Sequence, residues 1–224
     1  MQQVIYHFRF ADGRTESLGL PGVAPDPDRL PGWTRLPHHQ CPNCPLSAAS
    51  YQHCPLAVQL VPLVMLCAQL PSYEQVTVQV TTPQRHLGKV TTVQRAVGSL
   101  MGLLSAHSAC PHMAFLKPMA YFHLPFSSEE ETIYRVASMY LLAQYFRQRQ
   151  GETPDWQLTQ LKAHYQRLQE VNSAFAQRLR EPGNEDGAVN ALILLDLLAK
   201  ALPYSIDDAL EDVRAVFSDG SPGP

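Results

Sequence analysis

The sequence predicts an α+β fold, mostly helical, with a small N-terminal antiparallel sheet packed on a bundle of about five to six helices. Three observations carry this. Val4-Ile5-Tyr6-His7-Phe8-Arg9-Phe10 is rich in aromatic and β-branched residues and runs into an Asp12-Gly13 turn. Glu74 to Thr82 alternates polar and apolar residues with the period of a half-buried strand. From Thr91 onward, apolar residues recur at three- and four-residue steps along several long segments.

Taken in order, the first element is a hairpin, Val4 to Phe10 returning through Thr15 to Leu18, and Glu74 to Thr82 is expected to add one later strand to it. Pro21 to Pro37 is dense in Pro, Gly and Asp and reads as an irregular surface excursion. Leu56 to Cys67 is apolar nearly all round; Pro55 suits a first helical turn, and Pro62 predicts a break. Thr91 to His107 is the next helix, with Val93, Val97, Leu100, Met101 and Leu104 on one side. Phe115 to Phe126 shows neither period nor cap and reads as an extended crossing. Ser127 and Glu130 form a capping box that opens a helix running to about Gln150. Pro154-Asp155-Trp156 begins another, whose stripe includes Leu161, Tyr165, Leu168, Phe175 and Leu179. Ala188 to Leu202 and Ser205 to Phe217 are expected to be the last helices. The organisation this suggests is a Cys-Pro-rich, metal-binding α+β domain over 1–150 and a helical C-terminal extension over 151–224 packed on it.

Composition narrows the function classes. The chain has 224 residues, 45% hydrophobic and 17% charged, which is globular usage. A net charge of -3 with scattered Lys and Arg gives no electrostatic reason to expect nucleic acid or an anionic membrane as partner. The N-terminus lacks a basic segment followed by an apolar run, and the longest apolar segments fall short of the roughly 20 residues a bilayer crossing needs. The expectation is a cytoplasmic protein. Disulfides are rare there, which turns cysteine patterns toward metal or redox chemistry.

Those cysteines hold the clearest chemical signal. Cys41, Cys44, Cys54 and Cys110 are each followed directly by proline, and three of them fall within residues 41–54. Proline fixes φ and removes a backbone donor, so each turn is held in shape without continuing a helix or strand. The four are read as one thiolate cage, because C-x2-C is the usual half-site of such cages. The other two ligands come singly, after nine and then fifty-five intervening residues, unlike the second tight pair of most structural zinc sites. Singly delivered Cys-Pro pairs favour a [4Fe-4S] cluster, with Zn as the alternative. His53, His107 and His112 are the nearby second-shell or substitute ligands, and His38 and His39 also crowd the area. Cys67 lies in an apolar run and reads as a small buried hydrophobe.

The segment 108–146, with Cys110-Pro111-His112, Phe115-Leu116-Lys117-Pro118-Met119-Ala120, Phe122-His123-Leu124-Pro125 and Glu129-Glu130-Glu131-Thr132-Ile133-Tyr134-Arg135, resembles an uncharacterised bacterial family carrying a domain of unknown function. The Cys-Pro-rich front part is similar to it as well. The resemblance implies a bacterial, proteobacterial source and carries no activity over.

Two functions follow as expectations. One is a cysteine-ligated metalloprotein, an iron-sulfur redox or sensor protein with an electron partner. The other is a non-enzymatic helical interaction module with a structural four-cysteine zinc site, whose Trp156 to Leu179 stripe binds a protein partner or a second copy, giving a homodimer. Tyr121, His123, Glu130 and Arg135 could be assembled into an acid-base site. Capping, helix ion pairing and packing explain these residues as well, so the balance falls against an enzyme.

Overall fold

A computed structural model describes residues 3–22, 25–67, 70–180 and isolated positions between 189 and 217. Four antiparallel strands form one sheet in the order β2-β1-β3-β4: β1 Val4–Phe10, β2 Thr15–Leu20, β3 Gln75–Thr82 and β4 Arg85–Thr92. The alternation in β1 and β3 puts Val4, Tyr6, Phe8 and Phe10 on one buried face with Val76, Val78 and Val80. Tyr6 stands opposite Val80 and Phe8 opposite Val78, so aromatic and β-branched side chains pair across the strands. Gly13 closes the first hairpin at φ +87, a conformation that only glycine adopts freely.

The expected hairpin and its added strand are present, and β4 extends the sheet by one strand the sequence did not announce. Arg85-His86-Leu87-Gly88-Lys89-Val90 is largely exposed and packs neither face on the core, so it carries no period-two pattern. Its strand state comes from its antiparallel ladder with β3.

Helix α1, Pro55–Cys67, buries Leu56, Ala57, Leu60, Val61, Leu63, Val64 and Cys67. It continues through Pro62 rather than breaking there. Proline removes one backbone bond, but the apolar neighbours on both sides of it are buried in the core and hold the turns together. Helix α2, Val93–His107, is covered on most of its surface and touches the sheet, α1 and the segment that follows it. That segment is not extended: Pro111–Leu116 forms a 3-10 helix and Lys117–Tyr121 a short helix, α3. Pro111 and Pro118 each sit in a first turn, a position proline favours, but pieces this short show no apolar period.

Helix α4, Glu129–Arg149, begins with a capping box made by Ser128 and Glu131, one residue later than the Ser127 and Glu130 pair expected. The Ser128 hydroxyl accepts from the Glu131 N–H at 3.1 Å, and the Glu131 carboxylate accepts from the Ser128 N–H at 2.7 Å. Helix α5, Thr159–Leu179, starts after the expected Pro154-Asp155-Trp156. Leu158 takes positive φ there, and the Asp155 carboxylate accepts from the N–H groups of Thr159 and Gln160. The stripe Leu161, Tyr165, Leu168, Val171, Phe175 and Leu179 is buried in the same core as the sheet and α2, so it is covered by its own chain. The helices expected over 188–202 and 205–217 lie almost entirely outside the described residues. Among the described residues no helix is long and apolar enough to cross a membrane.

Candidate metal centre

The loop 34–54 has almost no regular structure, and its two ends are tied to each other. Leu36 N–H donates to the Gln52 carbonyl at 2.9 Å, and Cys54 N–H donates to the Thr34 carbonyl at 2.8 Å. Arg35 and His53 form an antiparallel bridge, and the Thr34 hydroxyl and His53 Nδ1 are 2.7 Å apart. These bonds set Cys54 at the loop exit, where its carbonyl accepts from Val58 and opens α1. Cys41 and Cys44 sit on a tight turn, with Cys44 N–H donating to the Cys41 carbonyl at 3.0 Å.

Cys110 follows α2, and its carbonyl accepts from Met113 N–H at 3.0 Å to begin the 3-10 helix. One long-range bond joins the two cysteine turns: His112 Nε2 donates to the carbonyl of Asn43, between Cys41 and Cys44, at 2.8 Å. Asn43 Nδ2 in turn donates to the Arg167 carbonyl on α5 at 3.1 Å. Pro42, Pro45, Pro55 and Pro111 follow the four cysteines and stiffen each delivery.

A buried cation completes the surroundings. Arg178, near the end of α5, is buried, and its guanidinium donates to the carbonyls of Trp33, Arg35 and Leu36. It falls in step with Val171 and Ala174 on the apolar side of α5. An arginine on a core stripe was the signal available in the sequence, and it passed unnoticed among the apolar positions.

The thiols sense one another. The Cys41 thiol is pushed up to about 12, first by burial and then by negative charge on Cys54, Cys44 and Cys110, with Arg178 drawing it down. Burial likewise pushes Cys110 up to about 11. The nearby backbone N–H groups of His112 and Met113 pull it down, and Cys54 and Cys44 raise it. Cys41 thus feels charge on the other three cysteines, and Cys110 feels charge on Cys54 and Cys44; all four are free thiols. Among the described residues, no three His, Cys, Asp or Glu side chains are arranged as a group able to hold a metal ion. Asn43 Oδ1 is buried beside this turn without a hydrogen-bond donor.

Of the histidines, His53 and His112 are engaged as above, and His107 ends α2 half-buried. Cys67 is fully buried, and burial pushes its thiol up to about 12. The possible acid-base set does not assemble. Tyr121 and Glu130 are exposed, and the Arg135 guanidinium donates to the carbonyls of Met119 and Phe122 and to the Ser127 hydroxyl. His123 packs against Tyr6, with its Nε2 2.6 Å from the Tyr6 hydroxyl.

Comparison with known families agrees with the breadth of the sequence resemblance. The pattern of a domain of unknown function, DUF6901, matches residues 4–218. The chain belongs to the DUF6901 family. The match takes in the sheet, the cysteine loop, Cys110 and α5, so the candidate centre lies inside the span the family shares and is not an appendage to it. No curated protein and no solved structure matches the chain.

Proposed function

We propose that Cys41, Cys44, Cys54 and Cys110 ligate one metal centre, and that the protein is a cysteine-ligated metalloprotein of the iron-sulfur redox or sensor class. The observation that carries this is the backbone geometry that ties the three cysteine deliveries: the His112 to Asn43 bond joins the Cys110 turn to the Cys41 and Cys44 turn, and the Thr34 to Cys54 and Leu36 to Gln52 bonds close the loop on Cys54. Burial opposes ionisation of Cys41 and Cys110, and charge on neighbouring cysteines opposes it further. A metal cation supplies the counter-charge, and metal binding then releases the thiol protons.

The chain's own groups suit such a centre. Peptide N–H groups of His112 and Met113 lie near enough to Cys110 to favour its thiolate, and the Arg178 guanidinium lies close enough to act on Cys41. Hydrogen bonds to sulfur and nearby positive charge are the levers that set the potential of a cluster. The His112 to Asn43 bond holds the two cysteine turns together. A [4Fe-4S] cluster is the first reading, since it accepts ligands delivered singly by Cys-Pro turns and would exchange one electron with a partner.

A Zn site is the second reading, favoured by the near absence of regular structure in 34–54. Metal there would clip the loop to α1 and α2 and contribute folding energy. Its partner, if the protein serves as an interaction module, engages a surface other than the stripe from Leu161 to Leu179, which the core occupies.

The test is metal and sulfide analysis of anaerobically purified protein. Brown protein with visible charge-transfer absorption and about four irons and four sulfides per chain is expected. Colourless protein with one zinc supports the second reading. Metal-free protein whose four thiols all react with a thiol reagent after mild unfolding, and which takes up neither metal on reconstitution, overturns both.

A further inference from the structure

Between α1, α2, the 3-10 helix, α3, the start of α4 and the middle of α5 lies a cavity of about 650 Å³ that the metal centre does not use. This is within the range of small-molecule sites. Its wall is mostly apolar, with Leu60, Leu103, Met113, Leu116, Met119 and Phe175 among its residues. One pole is polar and is built from buried and half-buried groups.

There, Phe126 N–H donates to Ser99 Oγ at 3.2 Å. Ser99 Oγ lies 2.8 Å from the Tyr6 hydroxyl, which lies 2.6 Å from His123 Nε2. Burial pushes the Tyr6 hydroxyl above its ordinary range and the His123 imidazole down to about 4, so both are neutral near pH 7. One order that satisfies every group has Ser99 donating to Tyr6 and Tyr6 donating to His123 Nε2. This order leaves the ring proton on His123 Nδ1, which has no hydrogen-bond partner among the described residues. Arg135, Lys89 and Arg95 also line the cavity. The two acids on its rim are Glu129 and Glu131, and Glu131 is committed to the capping box of α4. The pole therefore offers donors and positive charge to whatever enters.

We propose that this cavity is a binding site for a small molecule with an apolar body and a carboxylate head, the body against Leu60, Leu103 and Phe175 and the head at His123 and Arg135. Apolar burial supplies affinity, and the cations lining the pole, half-buried Arg135 with exposed Lys89 and Arg95, supply selectivity, because a head without negative charge gains nothing from them.

The probes are dodecanoate and its uncharged counterpart dodecanol, titrated into the full-length protein by calorimetry below their aggregation limits. Saturable binding of one dodecanoate per chain, at least tenfold tighter than dodecanol, is expected. Leu116→Trp, which narrows the cavity, is expected to weaken both probes at least tenfold, and Arg135→Gln is expected to erase the preference for the acid. Circular dichroism and thermal melting establish that each variant is folded. Absence of saturable dodecanoate binding by the folded wild-type protein overturns the proposal, as does dodecanol binding equally well. The wild-type comparison of acid with alcohol stands even where a variant fails to fold, and none of these readouts depends on metal content.

Discussion

The sheet and the cysteine loop sit side by side in the sequence and are held in opposite ways. In β1 and β3 each buried side chain follows from its neighbour two residues away, and the ladder bonds are made strand to strand. Across 34–54 a few bonds within the loop tie its ends and turns, and the rest come from far off: Arg178 to the carbonyls of Trp33, Arg35 and Leu36, Asn43 Nδ2 to the Arg167 carbonyl, and His112 to the Asn43 carbonyl. The sheet carries its own instructions locally. The loop is shaped by α5 and the Cys110 turn, and the placement of its thiols is therefore a tertiary property.

The comparison sharpens at high pH, where the largest effect is expected. Cys41, Cys67 and Cys110 have folded values above the ordinary 9.0, so the stability tied to their protonated forms is whole below pH 9 and is lost as pH rises toward 11 to 12. For the well-buried Cys67 the loss is about 1.4 kcal/mol per pH unit in that window, and less for Cys41 and Cys110, which solvent screens more. Denaturant titrations of metal-free protein from pH 8 to 11 measure it. Metal-loaded protein should retain more of its stability over the same range, and equal losses would mean that the front thiols are not ligands.

In the body, Leu100→Ala removes a fully buried side chain of α2 and should cost about 3 to 4 kcal/mol of global stability by urea melting. In the loop, Arg178→Met should cost about 2 to 3 kcal/mol, since three backbone carbonyls lose a charged donor. The two differ in reach. Hydrogen exchange should show the Leu100 change spread over the sheet and helices, and the Arg178 change concentrated in 33–54; an even spread for both would erase the contrast. Smallest is Ser128→Ala, about 1 kcal/mol from the loss of the α4 cap, whereas Ser127→Ala should leave the cap intact.

How far the fold could be read follows the same division. Alternation in Val76 to Val80 and three- and four-residue steps in Leu161 to Leu179 are local signals, and those elements stand where expected. The strand β4 was illegible because it packs on the core with neither face, and 111–121 because pieces of five or six residues are too short to show a period. At the candidate centre, the Cys-Pro repetition named the four residues, but nothing local announced Arg178 as their neighbour. The Tyr6, Ser99 and His123 chain was equally hidden, since it joins a strand, a helix and a turn that meet only in the folded core.

The first turn of α1 has two neighbours. Cys54 precedes it on the side of the thiols, and Leu56, two residues on, lines the cavity wall. On the other flank Cys110 and Met113 repeat the arrangement, with one backbone bond between them. Thermodynamic reciprocity then applies: if filling the apolar chamber tightens the sulfur ligands' hold on their ion by some factor, loading the ion tightens the chamber's hold on its guest by that same factor.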